Sequence, residues 1–204
     1  MPASPHLALG AVLLAGGASR RFGSDNKLLA NIAGVPIVVK VAQEILSGGV
    51  SELVVVTGAE HARYVAALSG LPLRFVANPL WDDGIGTSIA AGVGALSREL
   101  HGAFVVPGDL PHLKADVFRV LARAFDGTLG EKVVVPVTAQ GEQRNPVLWP
   151  RRLFPRLAAL SGPKGGKSLL DTLRDESVDV TFDDESVFSD IDTPDDYARF
   201  ITGA

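Results

Sequence analysis

Short apolar runs rich in β-branched residues alternate along the chain with longer segments whose apolar positions recur every three or four residues. The runs occupy residues 8–14, 53–57, 73–76, 103–106 and 133–137, and the periodic segments occupy residues 37–46, 59–69, 88–100 and 115–125. A short continuous apolar run is typical of a strand buried on both faces, and helical periodicity between such strands is typical of βαβ units. The pattern therefore predicts an α/β fold with a mostly parallel sheet between layers of helices.

The alternation changes after residue 137. A further apolar segment at 145–149 follows after a polar loop that is too short for a crossover helix, which predicts an antiparallel addition to the sheet. Beyond it, the pattern predicts helices at 153–160, 167–174 and 194–201 and strands at 178–182 and 187–191. Since no repeat or linker-like tract interrupts the chain, we expect residues 1–204 to form a single Rossmann-like three-layer domain.

The loop after the first predicted strand combines glycines with positive charges. Gly16 and Gly17 allow backbone amides to approach an anion closely, and Arg20, Arg21 and Lys27 supply the cations. Ligands of open parallel sheets bind at the carboxyl ends of the strands, where this loop lies. The segment therefore indicates a polyphosphate site, with a surface loop carrying solvated cations as the alternative.

Two acidic segments lie at other predicted strand ends. Asp109 follows an apolar strand within Pro107-Gly108-Asp109, and Asp192 lies next to the predicted strand that ends at Ile191. Mg²⁺ prefers a few carboxylates together with substrate phosphates and water. Asp109 and Asp192 are therefore candidate Mg²⁺ ligands, although Asp192 also suits a simple turn.

Two glycine-containing segments resemble phosphate motifs without matching them. Residues 162–168 have a P-loop composition, but three residues rather than four separate Gly162 from Gly166, and a predicted helix precedes them. Residues 84–89 begin like a dinucleotide fingerprint but have Ile89 at the third glycine position. Thr87 and Ser88 can still begin a helix, either to hold a phosphate at its N-terminus or to cap it.

Composition narrows the classes of function. The 204 residues include 19 Lys and Arg against 23 Asp and Glu, a net charge of −4, and this acidic balance argues against a nucleic-acid partner. Cysteine is absent, which excludes disulfides and thiolate chemistry and favours the cytoplasm. The most apolar stretch, residues 7–18, is too short to span a membrane, so we expect no membrane association.

Five segments together resemble the MobA-like nucleotidyltransferase family. They are residues 14–23 with Lys27, residues 78–88, 107–111, 145–148 and 190–196, and they occur in the order that the family shows. The resemblance spans nearly the whole chain and implies the nucleotide-diphospho-sugar transferase-like fold. Within the family, the chain looks most similar to the molybdenum cofactor cytidylyltransferase branch.

The resemblance implies transfer of a nucleoside monophosphate from an NTP, with CTP favoured, to the phosphate of a molybdopterin-type acceptor, releasing pyrophosphate. By this resemblance the catalytic residues are Arg21, Lys27 and Asp109, and Mg²⁺ is held by Asp109 and Asp192. The implied nucleotide-binding residues are Leu14, Ala15, Gly16, Gly17, Arg21, Lys27, Asn78, Ser88 and Gly108. The acceptor is expected toward Asn145 and the 162–168 loop.

The sequence leaves alternatives open for the nucleotide that is used and for whether the protein is a catalyst. The cytidylyl branch often has Ala-Ala-Gly where this chain has Ala15-Gly16-Gly17, and the Gly-Gly form is common in the guanylyl branch. Residues 86–88 and 190–194, by contrast, resemble the cytidylyl branch. The alternatives are a GTP-dependent guanylyltransferase, a sugar-phosphate nucleotidyltransferase, and a non-catalytic nucleotide-binding protein that assists maturation of a molybdoenzyme. A molybdoenzyme or its maturation chaperone is the expected protein partner.

Overall fold

A computed structural model describes residues 7–17, 26–191, 193 and 195–198. The strands are β1 (Leu9–Ala15), β2 (Asn31–Ile32), β3 (Val35–Pro36), β4 (Glu52–Thr57), β5 (Arg74–Ala77), β6 (Gly102–Pro107), β7 (Val133–Val137), β8 (Val147–Pro150) and β9 (Ser177–Thr181). The helices are α1 (Ile37–Ser47), α2 (His61–Ala67), α3 (Ile85–Gly94), α4 (Ala115–Gly127), α5 (Phe154–Ala158) and α6 (Gly166–Leu170). No helix in this part of the chain is long and apolar enough to cross a membrane.

Within the described residues, seven strands form one sheet in the order β5-β4-β1-β6-β8-β7-β9. β1 pairs in parallel with β4 and β6, and β4 pairs in parallel with β5. β8 runs antiparallel to β6 and β7, and β9 is parallel to β7. The predicted α/β fold, mostly parallel with an antiparallel addition, is confirmed. The two-residue strands β2 and β3 form a separate hairpin that the sequence pattern did not predict.

Both faces of the sheet are covered by helices. Every residue of β1 is buried, and successive side chains alternate between two hydrophobic clusters. Ala11 and Leu13 belong to the cluster that contains residues of α1 and α4, whereas Val12 and Leu14 belong to the cluster that contains residues of α3 and α5. Since neither face is open, polar groups of the central strands can reach a ligand at the strand ends.

One predicted strand is wrong, and several helix limits differ from prediction. Residues 187–191 do not form a strand, because a 3₁₀ turn occupies Glu185–Phe188. The Asp184 carboxylate begins this turn by accepting hydrogen bonds from the amide and hydroxyl of Ser186, and Phe188 packs edge-on against Phe182. The helix predicted at 88–100 covers Ile85–Gly94. Residues 195–198 are helical, as predicted, and the rest of the predicted 194–201 helix lies outside the described residues.

Candidate active site

The carboxyl ends of β1 and β6 approach each other closely at one edge of the sheet. The Gly108 amide donates a hydrogen bond to the Leu14 carbonyl oxygen at 3.1 Å. A Cβ atom at position 108 would lie 2.8 Å from that oxygen, so the close approach requires glycine. Asp109, the next residue, is thereby placed beside the point where β1 ends and Gly16 and Gly17 begin.

Lys27 and Asp109, two predicted catalytic residues, form an ion pair at this edge. The Lys27 Nζ atom lies 2.8 Å from Asp109 Oδ2, and the two side chains are 15% and 23% exposed. Lys27 begins a 3₁₀ turn, Lys27–Leu29, and Asp109 follows β6. Charges that are mostly shielded from water interact more strongly with each other and with a bound anion than exposed charges do. The fold therefore brings a cation and a carboxylate to one point next to the glycine loop.

A buried amide and phenol hold the turn that carries Lys27. Asn26 Oδ1 accepts a hydrogen bond from the Leu28 amide at 3.0 Å, and Asn26 Nδ2 donates to Glu60 Oε1 at 3.0 Å and to the Tyr64 hydroxyl oxygen at 2.9 Å. Burial raises the pKa of Tyr64 to about 12, and the nearby Glu60 carboxylate adds to this effect. The motif analysis missed this arrangement, although an Asn directly before a turn is a common capping signal.

Asn78 and Ser88, both predicted to bind nucleotide, are buried and in contact. Asn78 Nδ2 donates to Thr87 Oγ1 at 2.9 Å and to Ser88 Oγ at 3.1 Å, and Asn78 Oδ1 accepts from the Leu80 amide. A Cβ atom at Gly16 would lie 3.2 Å from Ser88 Oγ, so Ser88 also lies beside the first glycine loop. These hydrogen bonds hold the start of α3 against the end of β5.

The N-terminus of α3 differs from the expected phosphate-binding end. The helix begins at Ile85 rather than at Thr87 or Ser88, and the Thr87 hydroxyl is within hydrogen-bond distance of the carbonyl oxygens of Leu80 and Gly84, both at 2.8 Å. The Gly86 amide donates to the Gly162 carbonyl oxygen at 3.0 Å. The chain itself therefore satisfies one of the amides that was expected to be available to a phosphate.

A polar cleft of about 1040 Å³ adjoins Asp109. Its lining comprises Pro107, Asp109, Leu110, His112, Gln143, Arg144, Asn145, Glu185, Ser186, Phe188, Ser189, Asp190, Ile191 and Asp196. The Ile191 amide donates to the Asp109 carbonyl oxygen at 3.1 Å, which brings the acidic segment near the C-terminus to the Lys27–Asp109 pair. Arg144, Glu185 and Asp190 were not predicted as site residues. Arg21 and Asp192 lie outside the described residues.

His112 lines this cleft. Burial lowers its pKa, the Lys114 ammonium lowers it further, and Asp184 acts in the opposite direction. The imidazole is therefore neutral at neutral pH, and it leaves the charge of the cleft to the carboxylates and Arg144.

The chemistry of the site fits a divalent ion held jointly with a substrate. Among the described residues, no group of three or more His, Cys, Asp or Glu side chains has metal-binding spacing. The Asp109 carboxylate is nevertheless a hard oxygen donor facing a large polar cleft, and Mg²⁺ is commonly held by one or two carboxylates with phosphate oxygens and water. Asp192 as a second metal ligand stays a prediction.

Comparisons with known proteins give relatives over almost the whole chain. The chain is 32% identical over 93% of its length to nicotine blue oxidoreductase from Paenarthrobacter nicotinovorans, covering 95% of that protein. It is 28% identical over 92% of its length to a molybdenum cofactor guanylyltransferase from Cereibacter sphaeroides, covering 93% of that protein.

The fold has a close structural match in Rv0371c from Mycobacterium tuberculosis. The TM-score is 0.83 at 23% identity, and the match covers 97% of this chain and 99% of the other. A second structure of Rv0371c, matched with a TM-score of 0.75 at 22% identity over 97% of this chain and 100% of the other, is a complex with manganese. The model of the MobA-like NTP transferase domain matches residues 11–178. The chain belongs to the MobA-like NTP transferase domain family.

Proposed function

We propose that this protein is a molybdenum cofactor guanylyltransferase, which transfers GMP from GTP to the phosphate of molybdenum cofactor and releases pyrophosphate. The observation that carries the proposal is the Lys27–Asp109 pair, with 2.8 Å between Nζ and Oδ2, beside the Gly16-Gly17 loop. Membership of an NTP transferase family supplies the reaction class. The relative from Cereibacter sphaeroides, matched over nearly its full length, supplies the acceptor.

GTP replaces CTP in this proposal. The relatives whose names contain molybdenum cofactor are guanylyltransferases, with 28% to 34% identity to this chain. The Ala15-Gly16-Gly17 sequence agrees with them, since the resemblance associates the Gly-Gly form with the guanylyl branch. The segments 86–88 and 190–194, which favoured CTP, are therefore weaker indicators of base choice than the first loop.

The proposed reaction needs positioning and charge neutralisation rather than a general base. An oxygen of the acceptor phosphate attacks the α-phosphorus of GTP, a new P–O bond forms, and the bond to the bridging oxygen of pyrophosphate breaks. The nucleophile is already an anion, so no proton has to be removed. Lys27 would exchange its contact with Asp109 for one with the phosphate oxygens and would stabilise the charge that develops on the leaving pyrophosphate.

Asp109 would hold a divalent ion once Lys27 has moved to the nucleotide. When bound, Mg²⁺ or Mn²⁺ supplies positive charge at the phosphate oxygens and fixes their orientation. Asn26 and Tyr64 keep the Lys27 turn in place, and Gly108 keeps Asp109 against the end of β1. These three residues thus fix the distance between the Lys27 ammonium and the Asp109 carboxylate before the substrate binds.

Pyrophosphate release from GTP, CTP, ATP and UTP with molybdenum cofactor tests the proposal, with Mg²⁺ and Mn²⁺ compared. We expect the highest kcat/KM with GTP, and on the order of 10²-fold or greater loss in Lys27→Gln and Asp109→Asn, because each removes an electrostatic contact with the reacting phosphates. Lys132→Gln, an exposed lysine outside the cleft, is the matched control and should retain activity. Full activity of Asp109→Asn, or release that is fastest with CTP, would contradict the proposal.

An oxidoreductase is the second candidate, because the relative that matches at 32% identity over 93% of the chain is named nicotine blue oxidoreductase. One pair of assays distinguishes the oxidoreductase from the transferase. Absorbance changes of nicotine blue in the presence of a reductant, and in the absence of any NTP, would favour the oxidoreductase. Pyrophosphate release without such changes favours the transferase, and nucleotide binding without either reaction favours the non-catalytic alternative.

A further inference from the structure

A pocket of about 370 Å³ lies at the amino ends of the strands, between the end of α1, the start of β1 and the middle of α4. We call it the rear pocket. It is lined by Leu9, where β1 begins, whereas the candidate active site lies beyond Ala15, where β1 ends. A strand rises about 3.3 Å per residue, so the two ends of β1 lie about 20 Å apart. A ligand in the rear pocket therefore cannot reach the Lys27–Asp109 pair.

The floor of the rear pocket is apolar. Leu9 of β1 and Phe104 of β6 are buried side chains that line it, and the half-buried Leu7 and Val50 complete the apolar wall. A volume of about 370 Å³ lies at the lower end of the range for small-molecule sites, which commonly combine such walls with a few polar groups. The space therefore suits the apolar part of a small ligand.

Two glycines after α1 keep this space open. A Cβ atom at Gly48 would lie 2.6 Å from Phe118 Cβ, so the turn packs directly on α4. Gly49 has φ +93°, a conformation that favours glycine, and a Cβ there would meet no described atom within 4 Å apart from its chain neighbours. The turn thus closes one side of the rear pocket without a side chain that would fill it.

Two arginines of α4 line the same pocket. The Arg119 guanidinium is engaged, since one nitrogen lies 2.6 Å from Asp116 Oδ1 and another donates to the Ser47 carbonyl oxygen at 2.6 Å. Arg123, one turn later and exposed, forms no hydrogen bond or ion pair within the part of the chain that the structure describes. Like charges four residues apart on a helix repel each other. An anion at this point would reduce that repulsion and give Arg123 a partner.

The charge of the rear pocket is positive. Asp126 also lines it, but its Oδ1 accepts a hydrogen bond from the Leu7 amide at 3.2 Å, so the chain itself uses this carboxylate. Among the described lining residues, two arginines therefore stand against one carboxylate. An apolar floor with a guanidinium beside it is complementary to an anion that carries an apolar chain or ring.

We propose that the rear pocket binds a small amphipathic carboxylate, with its apolar part on Leu9 and Phe104 and its carboxylate at Arg123. The planar guanidinium matches the geometry of a carboxylate, which can accept two parallel hydrogen bonds from it. This ligand is a further molecule and not a substrate of the transfer, because the pocket lies at the other end of β1. The proposal goes beyond the proposed function and does not depend on it.

Calorimetric titration of the purified protein with octanoate tests this assignment. We expect saturable binding of one octanoate per chain. 1-Octanol has the same apolar chain without the charge, and inorganic phosphate has charge without the chain, so each should bind at least about 10-fold more weakly. No saturable binding of octanoate, or equally tight binding of 1-octanol, would overturn the proposal.

The variant Arg123→Gln locates the bound carboxylate, with Arg98→Gln as the matched control. Arg98 is also an exposed arginine and does not line the rear pocket, so the two variants change the net charge equally. We expect Arg123→Gln to raise the Kd for octanoate by about 10-fold, the effect of losing one charge-assisted hydrogen bond, and to leave pyrophosphate release unchanged. Arg98→Gln should alter neither. An unchanged Kd in Arg123→Gln, or equal weakening by both variants, would contradict the assignment.

Sedimentation velocity distinguishes a small ligand from a second copy of the chain as the occupant of the rear pocket. We expect the sedimentation coefficient to be the same with and without saturating octanoate. A dimer that octanoate dissociates would show that the pocket is an interface between copies, and this result would overturn the proposal.

Discussion

The position of Lys27, the cation to which we assign a catalytic role, depends on neighbours that take no part in the proposed reaction. Asn26 fixes the turn of Lys27 through the Leu28 amide, and Tyr64 holds Asn26 from α2. Tyr64 is 1% exposed, so its hydroxyl and the Asn26 amide have each other in place of bulk water. The ammonium is thus held near Asp109 by buried hydrogen bonds rather than by the ion pair alone.

The substitution Tyr64→Phe should lower the free energy of unfolding, because it removes the hydroxyl that holds Asn26. At neutral pH we expect a loss of about 1 kcal/mol, because Asn26 loses a buried partner. The raised pKa of Tyr64, about 12 against 10.0, favours the protonated phenol in the folded state. The stabilisation of the folded state by the protonated phenol is therefore complete below pH 10. It falls by about 1.4 kcal/mol per pH unit between pH 10 and pH 12.

Urea unfolding of both proteins between pH 7 and pH 11.5 measures the difference directly. The Phe variant lacks the titrating group, so the stability gap between the two proteins should narrow above pH 10 and then reverse. A gap that stays constant across this range would show that Tyr64 is not the buried, protonated group described above.

At the scale of elements, contacts with the 162–168 loop and with Asn78 fix the start of α3. Gly84 precedes α3 with φ +124°, a conformation that favours glycine, and its backbone lies against Gly162. Asn78 ties the same helix start to the end of β5 through Thr87 and Ser88. A change at this junction should therefore affect the stability of the protein.

Gly84→Ala and Gly94→Ala, at the two ends of α3, test this junction. A Cβ at position 84 would lie 2.3 Å from the Gly162 carbonyl oxygen, whereas a Cβ at position 94 would meet no atom within 4 Å apart from its chain neighbours and its own helix backbone. We expect Gly84→Ala to lower the free energy of unfolding by at least about 2 kcal/mol, and Gly94→Ala to raise it by less than about 1 kcal/mol. Chemical denaturation checks both values, and equal effects would contradict the described junction.

The sequence pattern correctly predicted the elements that depend on local sequence or on the regular spacing of apolar residues. The central strands β1, β4 and β6 have continuous apolar runs, and each was predicted to within about two residues of its ends. Residues 187–191 also include three apolar residues, but Asp184 caps a 3₁₀ turn at Glu185–Phe188 and Phe188 packs on Phe182. The start of α3 was predicted too late because the residue that determines it, Gly84, is held by a loop nearly 80 residues away in sequence.

Parts of the site were predictable for a similar reason. Lys27 and Asp109 lie in loops that follow predicted strands, so sheet topology alone brings them together, and the 2.8 Å contact agrees with that placement. The hydrogen bonds of Asn26 with Glu60 and Tyr64 could not be predicted, because they join residues that are 34 and 38 positions apart along the chain. The roles of Arg21 and Asp192, and the single domain over residues 1–204, stay predictions.

At the scale of the whole molecule, a chain with a net charge of −4 places the Lys27–Asp109 ion pair beside its first glycine loop. The sheet order places β1 between β4 and β6, so the glycine loop, the α3 start and Asp109 surround one point. The antiparallel strand β8 then extends the sheet, and the polar cleft described above lies next to that point. This arrangement suits a two-substrate transfer in which donor and acceptor enter from neighbouring spaces, and a cytoplasmic location and a molybdoenzyme partner stay part of the proposal.

Label transfer from GTP to the acceptor is the most direct test of the account. The purified protein, with Mg²⁺ and molybdenum cofactor, is given GTP or CTP labelled with ³²P at the α-phosphate, and the cofactor is separated and counted. We expect label on the cofactor from GTP, at least several-fold less from CTP, and essentially none with Asp109→Asn. Equal labelling by wild type and Asp109→Asn, or no transfer from either nucleotide, would contradict the account.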